Sequence, residues 1–430
     1  MPNILQPVLN GIYQAWRDIG NGIHAPVVAI QEPALHRDAF HRERVSNPEF
    51  AFDAQFTYDL HPYLFEQTAT GSGASVAHDT TNRCVLFTFA STPTGGEASM
   101  QSYEWIPYQP GRSQLAFITG NFREVTANCR KWIGLGDTSN GLFLEANNGA
   151  VRVALYSDAG VGDRFFTTAS EEWTDALDGT GPSGKTVDWT KEQIVIIDIQ
   201  ALYVGEVRMA LDIDGEPVPF LTVANANKQA YPYIQRATLP VSVGMSCTGT
   251  VSTTMHFVCC SVITEGGAFD LIGYPGTALS PNDIGTTTGA WAHVISIRPK
   301  TTFNSITNRA KFVLENIDAM ATAGSSGMYI RLALGQAFSV APTWASAGDQ
   351  SCFEIGTGGT LSGEPAYSKY TLFVPASGSK PSVDRQHRNR LPIALTKAGA
   401  VHTNGVLTLL AKSVSGTPNL MANLNWREIR

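Results

Sequence analysis

The sequence predicts an all-β protein made of two β-sandwich units, jelly-roll or lectin-like, behind a short, partly helical N-terminal attachment segment. Short apolar runs rich in aromatic and β-branched residues recur from about residue 66 onward, separated by Gly, Asn, Asp and Pro. At 430 residues the chain exceeds what one core usually supports. We therefore predict three parts: residues 1–65 for attachment, 66–275 for the first sandwich and 276–430 for the second.

The N-terminal segment opens with ILQPVLNGIYQAWRDIGNGI, in which apolar residues recur at near-helical spacing. Gly11, Gly20 and Gly22 weaken this pattern as a free-standing helix, so its apolar face is expected to need a surface to pack on. That surface belongs either to a partner or to the chain's own first sandwich. The residues predicted to dock are Leu5, Val8, Leu9, Ile12, Trp16 and Ile19.

The first unit contains nine short strand-like runs, from RCVLFTFAS to TMHFVCCSVI. Asn140-Gly141, Asn148-Gly149 and Asp214-Gly215 are predicted to supply the positive φ angles of tight hairpins. The clearest hairpin joins RMALDI and PVPFLTV around Asp214-Gly215. The second unit runs from HVISIRP to MANLNWREI, and no internal repeat of roughly 20–50 residues indicates a solenoid or a propeller.

Composition argues against several classes of protein. A net charge of −7 and a pI near 5.7 are unlike a general nucleic-acid binder, because phosphate contacts need clustered Lys and Arg. No apolar run approaches the ~20 residues of a spanning helix and no signal-peptide pattern is visible, so we predict cytoplasmic synthesis and no membrane partner. Only 16% of residues are charged, which suits a surface partly covered by partners.

The cysteines have neither the CxxC spacing of a zinc site nor the density of a small disulfide framework. We therefore predict reduced, mostly buried thiols, with no metal and no cofactor. In MHFVCCSVI the two adjacent cysteines are expected to point to opposite faces of a strand, which leaves one of them free to pair between subunits. The six cysteines are Cys84, Cys129, Cys247, Cys259, Cys260 and Cys352.

One stretch, GTGPSGKT, formally matches the phosphate-binding pattern G-x-x-x-x-G-K-[ST]. A phosphate-binding loop follows a buried strand and opens a helix, whereas only VDWTKEQ separates this motif from the next strand. The stretch is instead predicted to be an ordered loop, with Asp178 or Asp188 bonding backbone amides and Trp173 and Trp189 anchoring it to the sandwich. Its motif residues are Gly179, Gly184, Lys185 and Thr186.

Three further groups offer weaker site hypotheses. Glu265, with Asp270 nearby, is a carboxylate pair of the kind that glycosidases use. A metal site near the N-terminus lacks any HxxxH pair to support it, and its members would be His36, His41, His61, Asp38, Glu43 and Asp59. A ligand loop, in which amides and aromatic rings would bond to and stack on a sugar, would use Asn225, Asn227, Tyr231 and Tyr233.

Several segments, in one order, resemble the core of virion structural proteins of tailed bacteriophages. They are YEWIPYQPGRSQLAFITGNF, WIGLGDTSNGLFLEANNGAVRVAL, DALDGTGPSGKTVDWTKEQIVIIDIQ and VGEVRMALDIDGEPVPFLTVANAN. The similarity extends through VCCSVITEGG, HVISIRP and the closing LNWREIR. It covers most of the chain beyond about residue 80 and leaves the first 65 residues outside.

The resemblance implies a non-enzymatic structural component of a tailed-phage virion, made in the host cytoplasm and located at the neck or collar, the tail, the baseplate or a fibre. It transfers no catalytic, cofactor or metal residues. It implies symmetric homo-oligomers, with a trimer as the first expectation, and contacts with other virion proteins. The alternative is a receptor-binding fibre or tip protein that recognises a host glycan or surface protein. An enzyme that trims host polysaccharide is a third hypothesis.

Overall fold

A computed structural model shows that the chain is all-β, as predicted. It describes residues 6–9, 12–18, 24–30, 37–39, 42, 44, 48–92, 95–107, 109–168, 172–200, 202–236, 238–265, 273–281, 283–364, 367–376, 382–384, 391 and 393–430. For 6–9, 12–18, 24–30, 91–92, 369 and 382–384 it describes the backbone alone. Within these ranges the only helical element is one short 3-10 helix, Thr403–Gly405. None of these residues forms a helix with the length and apolar character of a membrane span.

The N-terminal segment is a three-stranded antiparallel meander, so the prediction of a partly helical segment is wrong. Its strands are β1 (Gln6–Leu9), β2 (Ile12–Asp18) and β3 (His24–Ile30). Leu9 pairs with Ile12, and the sequence places Asn-Gly between them, which is the strongest short-range signal for a hairpin. Of the residues predicted to dock, Leu5 and Ile19 lie outside the described residues, whereas the strands β1 and β2 contain Val8, Leu9, Ile12 and Trp16.

The first sandwich contains two large antiparallel sheets and one short strand pair. Its strands are β4 (Glu49–Gln55), β5 (Phe65–Thr70), β6 (Ala74–Asp79), β7 (Cys84–Thr92), β8 (Gly96–Ser102), β9 (Ile106–Pro107), β10 (Ser113–Asn121), β11 (Cys129–Gly136), β12 (Asn140–Asn147), β13 (Ala150–Ser157), β14 (Arg164–Phe166), β15 (Gln193–Gln200), β16 (Val207–Ile213), β17 (Glu216–Val223), β18 (Thr238–Leu239), β19 (Val241–Cys247) and β20 (Val251–Thr264).

Sheet A has the order β17-β16-β15-β10-β20-β7-β6, and β4 also pairs with β20. Sheet B has the order β14-β13-β12-β11-β19-β8-β5, and β18 pairs with β9. Because β4 is part of sheet A, the first sandwich begins at or before Glu49 rather than at residue 66. The segment predicted for attachment therefore contributes one strand to this sandwich.

The main core of the first sandwich lies between sheets A and B. On β10, Ala116 and Ile118 belong to this core, whereas Leu115 and Phe117 form a small cluster on the opposite, outer face of sheet A. This alternation follows from the strand geometry, in which successive side chains point to opposite faces. Both sheets therefore have an outer face, and these outer faces bear the sites described below.

Two of the three predicted tight turns are present. Asp214 and Gly215 have φ angles of 59° and 81° and connect Ile213 to its partner Glu216. Asn148 and Gly149 have φ angles of 48° and 89° and connect β12 to β13. Since both central residues have positive φ in each case, these connections have the geometry that matches the twist of the flanking strands.

The third predicted turn, Asn140-Gly141, is wrong, because both residues are the first two of β12. The turn lies earlier, where the Asp137 side chain accepts hydrogen bonds from the backbone amides of Ser139 and Asn140, each at 2.9 Å. Gly141 is required for a different reason. A Cβ atom at this position would lie 2.2 Å from the ring of Phe143, which covers the glycine.

Cys129 and Cys247 form a disulfide, which corrects the prediction that all thiols are reduced. The two residues are directly opposed on β11 and β19, with their Cα atoms 4.1 Å apart. They are 118 residues apart in the chain, so no local spacing reveals the pair. The four other cysteines form no disulfide, and of the adjacent pair Cys260 is buried while Cys259 is partly exposed.

The second sandwich packs sheet C, of order β21-β35-β26-β33 with β22 also on β35, against sheet D, of order β29-β30-β23-β34-β27-β32. Trp426, Phe312 and Phe353 are fully buried in its core. Its strands are β21 (Tyr274–Leu279), β22 (Ile284–Gly285), β23 (Ala292–Pro299), β24 (Thr302–Phe303), β25 (Ile306–Thr307), β26 (Lys311–Ala323), β27 (Met328–Leu334), β28 (Phe338–Val340), β29 (Thr343–Ser346), β30 (Phe353–Thr357), β31 (Thr360–Leu361), β32 (Tyr367–Val374), β33 (Ser382–Asp384), β34 (Leu407–Ser413) and β35 (Asn419–Ile429).

Candidate functional site

The outer face of sheet B bears a cluster of aromatic and arginine side chains, which we call the arginine-capped face. Trp132, Glu145 and Arg152 are cross-strand neighbours in one row over β11, β12 and β13. Phe143, Ala154 and Phe165 form the adjacent row. The members of the face are Arg130, Trp132, Phe143, Glu145, Arg152, Ala154, Tyr156 and Phe165.

A single buried carboxylate organises this face. Glu145 is fully buried, and it pairs with the guanidinium groups of Arg130 at 2.6 Å and Arg152 at 2.9 Å. The Tyr156 hydroxyl donates to the same carboxylate at 3.0 Å. Burial, followed by the Glu145 charge, raises the pKa of Tyr156, so the phenol stays protonated and remains a donor. Charge-assisted hydrogen bonds of this kind hold both arginines in fixed positions.

The arginines lie over aromatic rings. The Arg130 guanidinium lies 4.4 Å from the centroid of the Trp132 ring, and that of Arg152 lies 4.0 Å from the centroid of Phe165. Phe165 is 45% exposed, so the rim of the face is apolar and open to solvent. Two guanidinium groups and one carboxylate give the face a net charge of +1. Arg, Trp and Tyr are the residue types that dominate the energetic centres of protein interfaces.

Sequence reasoning did not identify this face. The signal was present as alternation in KWIGLG, LFLEAN and AVRVALYS. Alternate residues of these runs belong to the core, namely Ile133, Leu135, Leu142, Leu144, Ala146, Val153 and Leu155. The residues between them include the members of the face Trp132, Phe143, Glu145, Arg152, Ala154 and Tyr156. Glycine has a steric role here. A Cβ atom on Gly134 would lie 2.6 Å from the Phe143 ring, so the glycine allows that ring to lie flat on the sheet.

The predicted glycosidase acid Glu265 lies beside Asp198, while Asp270 lies outside the described residues. The Ser113 hydroxyl contacts both carboxylates, at 2.8 Å and 3.2 Å, and the Arg44 guanidinium bonds both, at 2.6 Å and 2.5 Å. Burial raises the pKa of each acid. Glycosidases need an open gap for the sugar between their carboxylates, and here the Arg44 guanidinium fills it.

A Ser–His pair on the outer face of sheet D has the wrong polarity for nucleophilic catalysis. His293 Nδ1 accepts a hydrogen bond from the Gly359 amide at 3.1 Å, which places the ring proton on Nε2. Nε2 therefore donates to Ser296 Oγ, 2.9 Å away, and cannot take a proton from it. Burial lowers the pKa of His293 to about 4, which keeps the ring neutral. Ser296 in turn contacts the Thr408 hydroxyl at 2.9 Å.

The phosphate-binding look-alike is a closed loop. Gly179 and Gly184 have φ angles of 89° and 64°, and the Gly179 amide donates to the Lys185 carbonyl at 3.0 Å. The Lys185 ammonium pairs with Asp214 at 2.6 Å, and the backbone of Thr186 pairs with that of Asp178. The described residues after Thr186 lead to β15 without a helix, so no helix N-terminus faces this loop.

The anchoring predicted for this loop is present. Asp178 and Asp188 accept hydrogen bonds from the amides of Thr180 and Thr190, each at 2.9 Å. Trp173 is buried against Phe220 with ring centroids 4.7 Å apart, and Trp189 is half-buried against the first core.

The predicted ligand loop divides into two structural residues and two exposed ones. Asn225 and Tyr233 are buried, and the Asn225 side chain bonds the Gly205 carbonyl at 2.7 Å and Arg164 at 2.5 Å. They therefore support the loop rather than face a ligand. Asn227 and Tyr231 are exposed, and the Tyr231 ring lies against Gly160.

The predicted metal group near the N-terminus is not assembled among the residues that the structure describes. His61 contacts Asp59 at 3.2 Å, and Asp38 pairs with Arg42 at 2.6 Å. His36, His41 and Glu43 lie outside the described residues. A different group, Asp79, Cys84 and His256, brings three potential ligand atoms within 4.8 Å of one another. Sequence reasoning missed it because its members come from three strands.

The two sandwiches contact each other through charged and aromatic side chains. Trp105 of the first sandwich lies 4.2 Å under the guanidinium of Arg309 from the second. The rings of Tyr63 and Tyr367 stack at 4.1 Å. Arg309 also donates to the carbonyls of Thr396 and Lys397, and burial lowers its pKa to about 10. Ion pairs across the junction join Lys311 to Glu104 and Lys397 to Glu97.

No protein-family model and no curated protein matches the chain. Similar solved structures include a glycosyl hydrolase family 16 protein from Mycobacterium smegmatis (14% identity, 50% of this chain and 100% of that chain, TM-score 0.33). Others are a β-1,3-glucanase from Mycobacterium marinum (13%, 50% and 98%, 0.34) and a carbohydrate esterase from Shiga toxin-encoding bacteriophage phi24B (8%, 51% and 100%, 0.30). With TM-scores this low, we base no functional argument on these similarities.

Proposed function

We propose that this chain is a non-enzymatic structural component of a tailed-phage virion that assembles with copies of itself through the arginine-capped face. The segments that resemble virion structural proteins supply the elements of that face. WIGLGDTSNGLFLEANNGAVRVAL covers most of β11 and β13 and all of β12. YEWIPYQPGRSQLAFITGNF and VGEVRMALDIDGEPVPFLTVANAN cover β10, β16 and β17 of the opposite sheet.

The arginine-capped face is the observation that carries the proposal. It presents rigid Arg, Trp and Tyr side chains on a sheet, and preorganised groups lose little entropy when a partner binds. The chain carries −7 overall and the face +1, so −8 remains on the rest of each copy (−7 minus +1). A second copy therefore offers acidic surface to this positive face, and such a head-to-tail contact closes into a ring when its rotation permits.

Three arrangements that resemble catalytic groups are engaged in structural roles, which supports a function without catalysis. The Arg44 guanidinium bonds both members of the acid pair Asp198 and Glu265. His293 donates to Ser296 instead of activating it. The loop around Lys185 is closed on itself.

Light scattering on the purified full-length chain tests self-association. We expect an oligomer that Phe165→Asp dissociates, because this change puts a charge on the apolar rim without uncovering Glu145. Phe373→Asp is the matched control and should leave the oligomer intact. Phe373 is likewise exposed, to 55%, and lies on β32 of sheet D in the other sandwich. A monomeric wild-type chain, or equal loss in both variants, would refute association through this face.

Cryo-EM of the particle tests the virion role, with the chain located in the density map. Density at the neck, along the tail or at the baseplate supports the proposal, and absence of the chain from purified particles contradicts it. A chain without residues 1–30 should fold and fail to incorporate if these residues dock it. Normal incorporation would instead show that attachment uses another surface.

Receptor binding is the second candidate, and the exposed Tyr231 ring favours it. Tyr231 is 59% exposed and is supported by Gly160, with the exposed amide of Asn227 on the same loop. Such a ring can stack on a sugar. Purified protein that blocks infection, with the block lost in Tyr231→Ala and retained in Tyr58→Ala, would favour this function. Tyr58 is the control because it is also exposed.

A further inference from the structure

We propose that Asp79, Cys84 and His256 form a binding site for a divalent transition-metal ion, with Zn²⁺ as the ion that this donor set suits best. Their potential ligand atoms all lie within 4.8 Å of one another. Thiolate, imidazole and carboxylate are the three ligand types that proteins use for Zn²⁺. The site is distinct from the arginine-capped face, because it lies on sheet A.

Strand register places the three side chains together. Asp79 and Cys84 are direct cross-strand partners on β6 and β7. On the next strand, β20, His256 is opposite Leu86 and therefore diagonal to Cys84. The neighbours Met255 and Phe257 point into the core, so the strand alternation turns His256 toward the outer face of sheet A. Cys84 lies on that face for the same reason, since Val85 is in the core.

A carboxylate holds the His256 imidazole in one tautomer. His256 Nδ1 lies 3.0 Å from a carboxylate oxygen of Glu192, so Nδ1 donates and the ring lone pair is on Nε2. Asn121 contacts the same Glu192 oxygen at 3.4 Å. A zinc-bound histidine usually donates its other ring N–H to a carboxylate of this kind, which fixes the tautomer and makes the imidazole a stronger ligand.

The Asp79 carboxylate is held in place by three hydrogen bonds. Asp79 accepts the side-chain amide of Asn82 at 2.7 Å and the backbone amides of Thr81 and Asn82 at 2.9 Å and 3.0 Å. Each carboxylate oxygen has a further lone pair, so capping of the turn leaves capacity for a metal.

Cys84 is a free, buried cysteine. Without metal its sulfur is a thiol, and binding of M²⁺ forms one M–S bond and releases one proton to solvent. Three protein ligands leave a fourth position for water or an external ligand, as in open zinc sites. The simpler interpretation is that the hairpin register alone brings these residues together without a metal.

Cobalt titration of the metal-free, full-length protein distinguishes these interpretations. We expect one equivalent of Co²⁺ to give a thiolate-to-cobalt charge-transfer band that Zn²⁺ abolishes by displacement. Cys84→Ser should lose the band, and Glu192→Gln should keep it with about 10- to 100-fold weaker affinity. Cys259→Ser is the matched control, because Cys259 is a partly exposed free thiol on the same strand as His256.

The proposal is overturned if saturating Co²⁺ gives no charge-transfer band, or if Cys259→Ser removes the band and Cys84→Ser does not. Circular dichroism in metal-free buffer verifies that each variant is folded. If Cys84→Ser does not fold, His256→Gln provides the same test, since it removes a ligand and keeps the thiol. Equal weak absorption in all variants would indicate adventitious binding and would also contradict the proposal.

Discussion

Lys131 offers the sharpest test of how this sandwich is held together. Its ammonium is fully buried and donates to the carbonyls of Phe122, Glu124 and Thr254 and to the Thr253 hydroxyl, at 2.6 to 3.0 Å. These contacts tie β11 of sheet B to β20 of sheet A. Burial lowers the pKa of Lys131 from 10.5 to about 8.

This shift predicts how stability changes with pH. Between pH 8 and 10.5 the unfolded chain holds the lysine proton and the folded chain has released it, so the free energy of unfolding rises with pH. A shift of about 2.5 pKa units corresponds to about 3 kcal/mol. Lys131→Met lacks this titration. The stability of the wild type relative to Lys131→Met should therefore increase by about 3 kcal/mol over this pH range.

Urea unfolding of the wild type and Lys131→Met at several pH values between 7 and 11 measures this difference. Subtracting the free energy of unfolding of Lys131→Met from that of the wild type removes the contributions of groups that titrate equally in both proteins. Lys228→Met is the control, because Lys228 is exposed and its removal should leave the curve parallel to that of the wild type. A constant difference between the wild type and Lys131→Met across this pH range would refute the reasoning.

Two further predictions concern the disulfide and the buried acid pair. Denatured protein that has not been reduced should have four titratable thiols, and six would contradict the disulfide. The double substitution Cys129→Ala with Cys247→Ala should lower the free energy of unfolding by about 5 kcal/mol, because the disulfide closes a 118-residue loop. Arg44→Met should cost about 3–5 kcal/mol at pH 7, because it removes the cation that the buried Asp198 and Glu265 share and leaves only Arg208 beside Asp198. Burial raises the pKa of both carboxyls and the Arg44 charge lowers it, so the folded variant without Arg44 binds these protons more tightly than the folded wild type. The loss should therefore shrink as pH falls through the folded pKa values, and a pH-independent loss would contradict this account.

Local signals in the sequence predicted the local structure well. The Asp214-Gly215 hairpin was predictable because two residues with positive φ determine the turn without help from the rest of the fold. The helix in the attachment segment was predicted wrongly, because irregular apolar spacing fits a helix and a strand pair alike, and Asn10-Gly11 was the signal that separates them. The all-β class followed from many such signals taken together.

Sites that depend on strand order could not be predicted from the sequence. Cys129 and Cys247 meet because β11 and β19 are neighbours in sheet B, and nothing near either cysteine encodes that pairing. The same holds for Cys84 and His256, which come together only because β7 lies beside β20. In antiparallel sandwiches with long connections, most contacts join residues that are far apart in the chain, so their sites can be recognised only in the folded structure.

The low charge content of the chain now has a structural interpretation. It suits a surface partly covered by partners, yet several of the few charges lie inside the protein and join distant segments. Arg44 binds Asp198 across 154 residues and Glu265 across 221, and Lys131 reaches Thr253 across 122. Buried ion pairs add little net stability compared with apolar residues, but an alternative strand register would leave each of these charges unpaired in the interior. Their main effect is therefore to favour one strand register and one packing of the two sheets, where the apolar pattern alone would allow several. The proposed assembly of identical copies needs that uniqueness, because every copy must present the same surface to its neighbour.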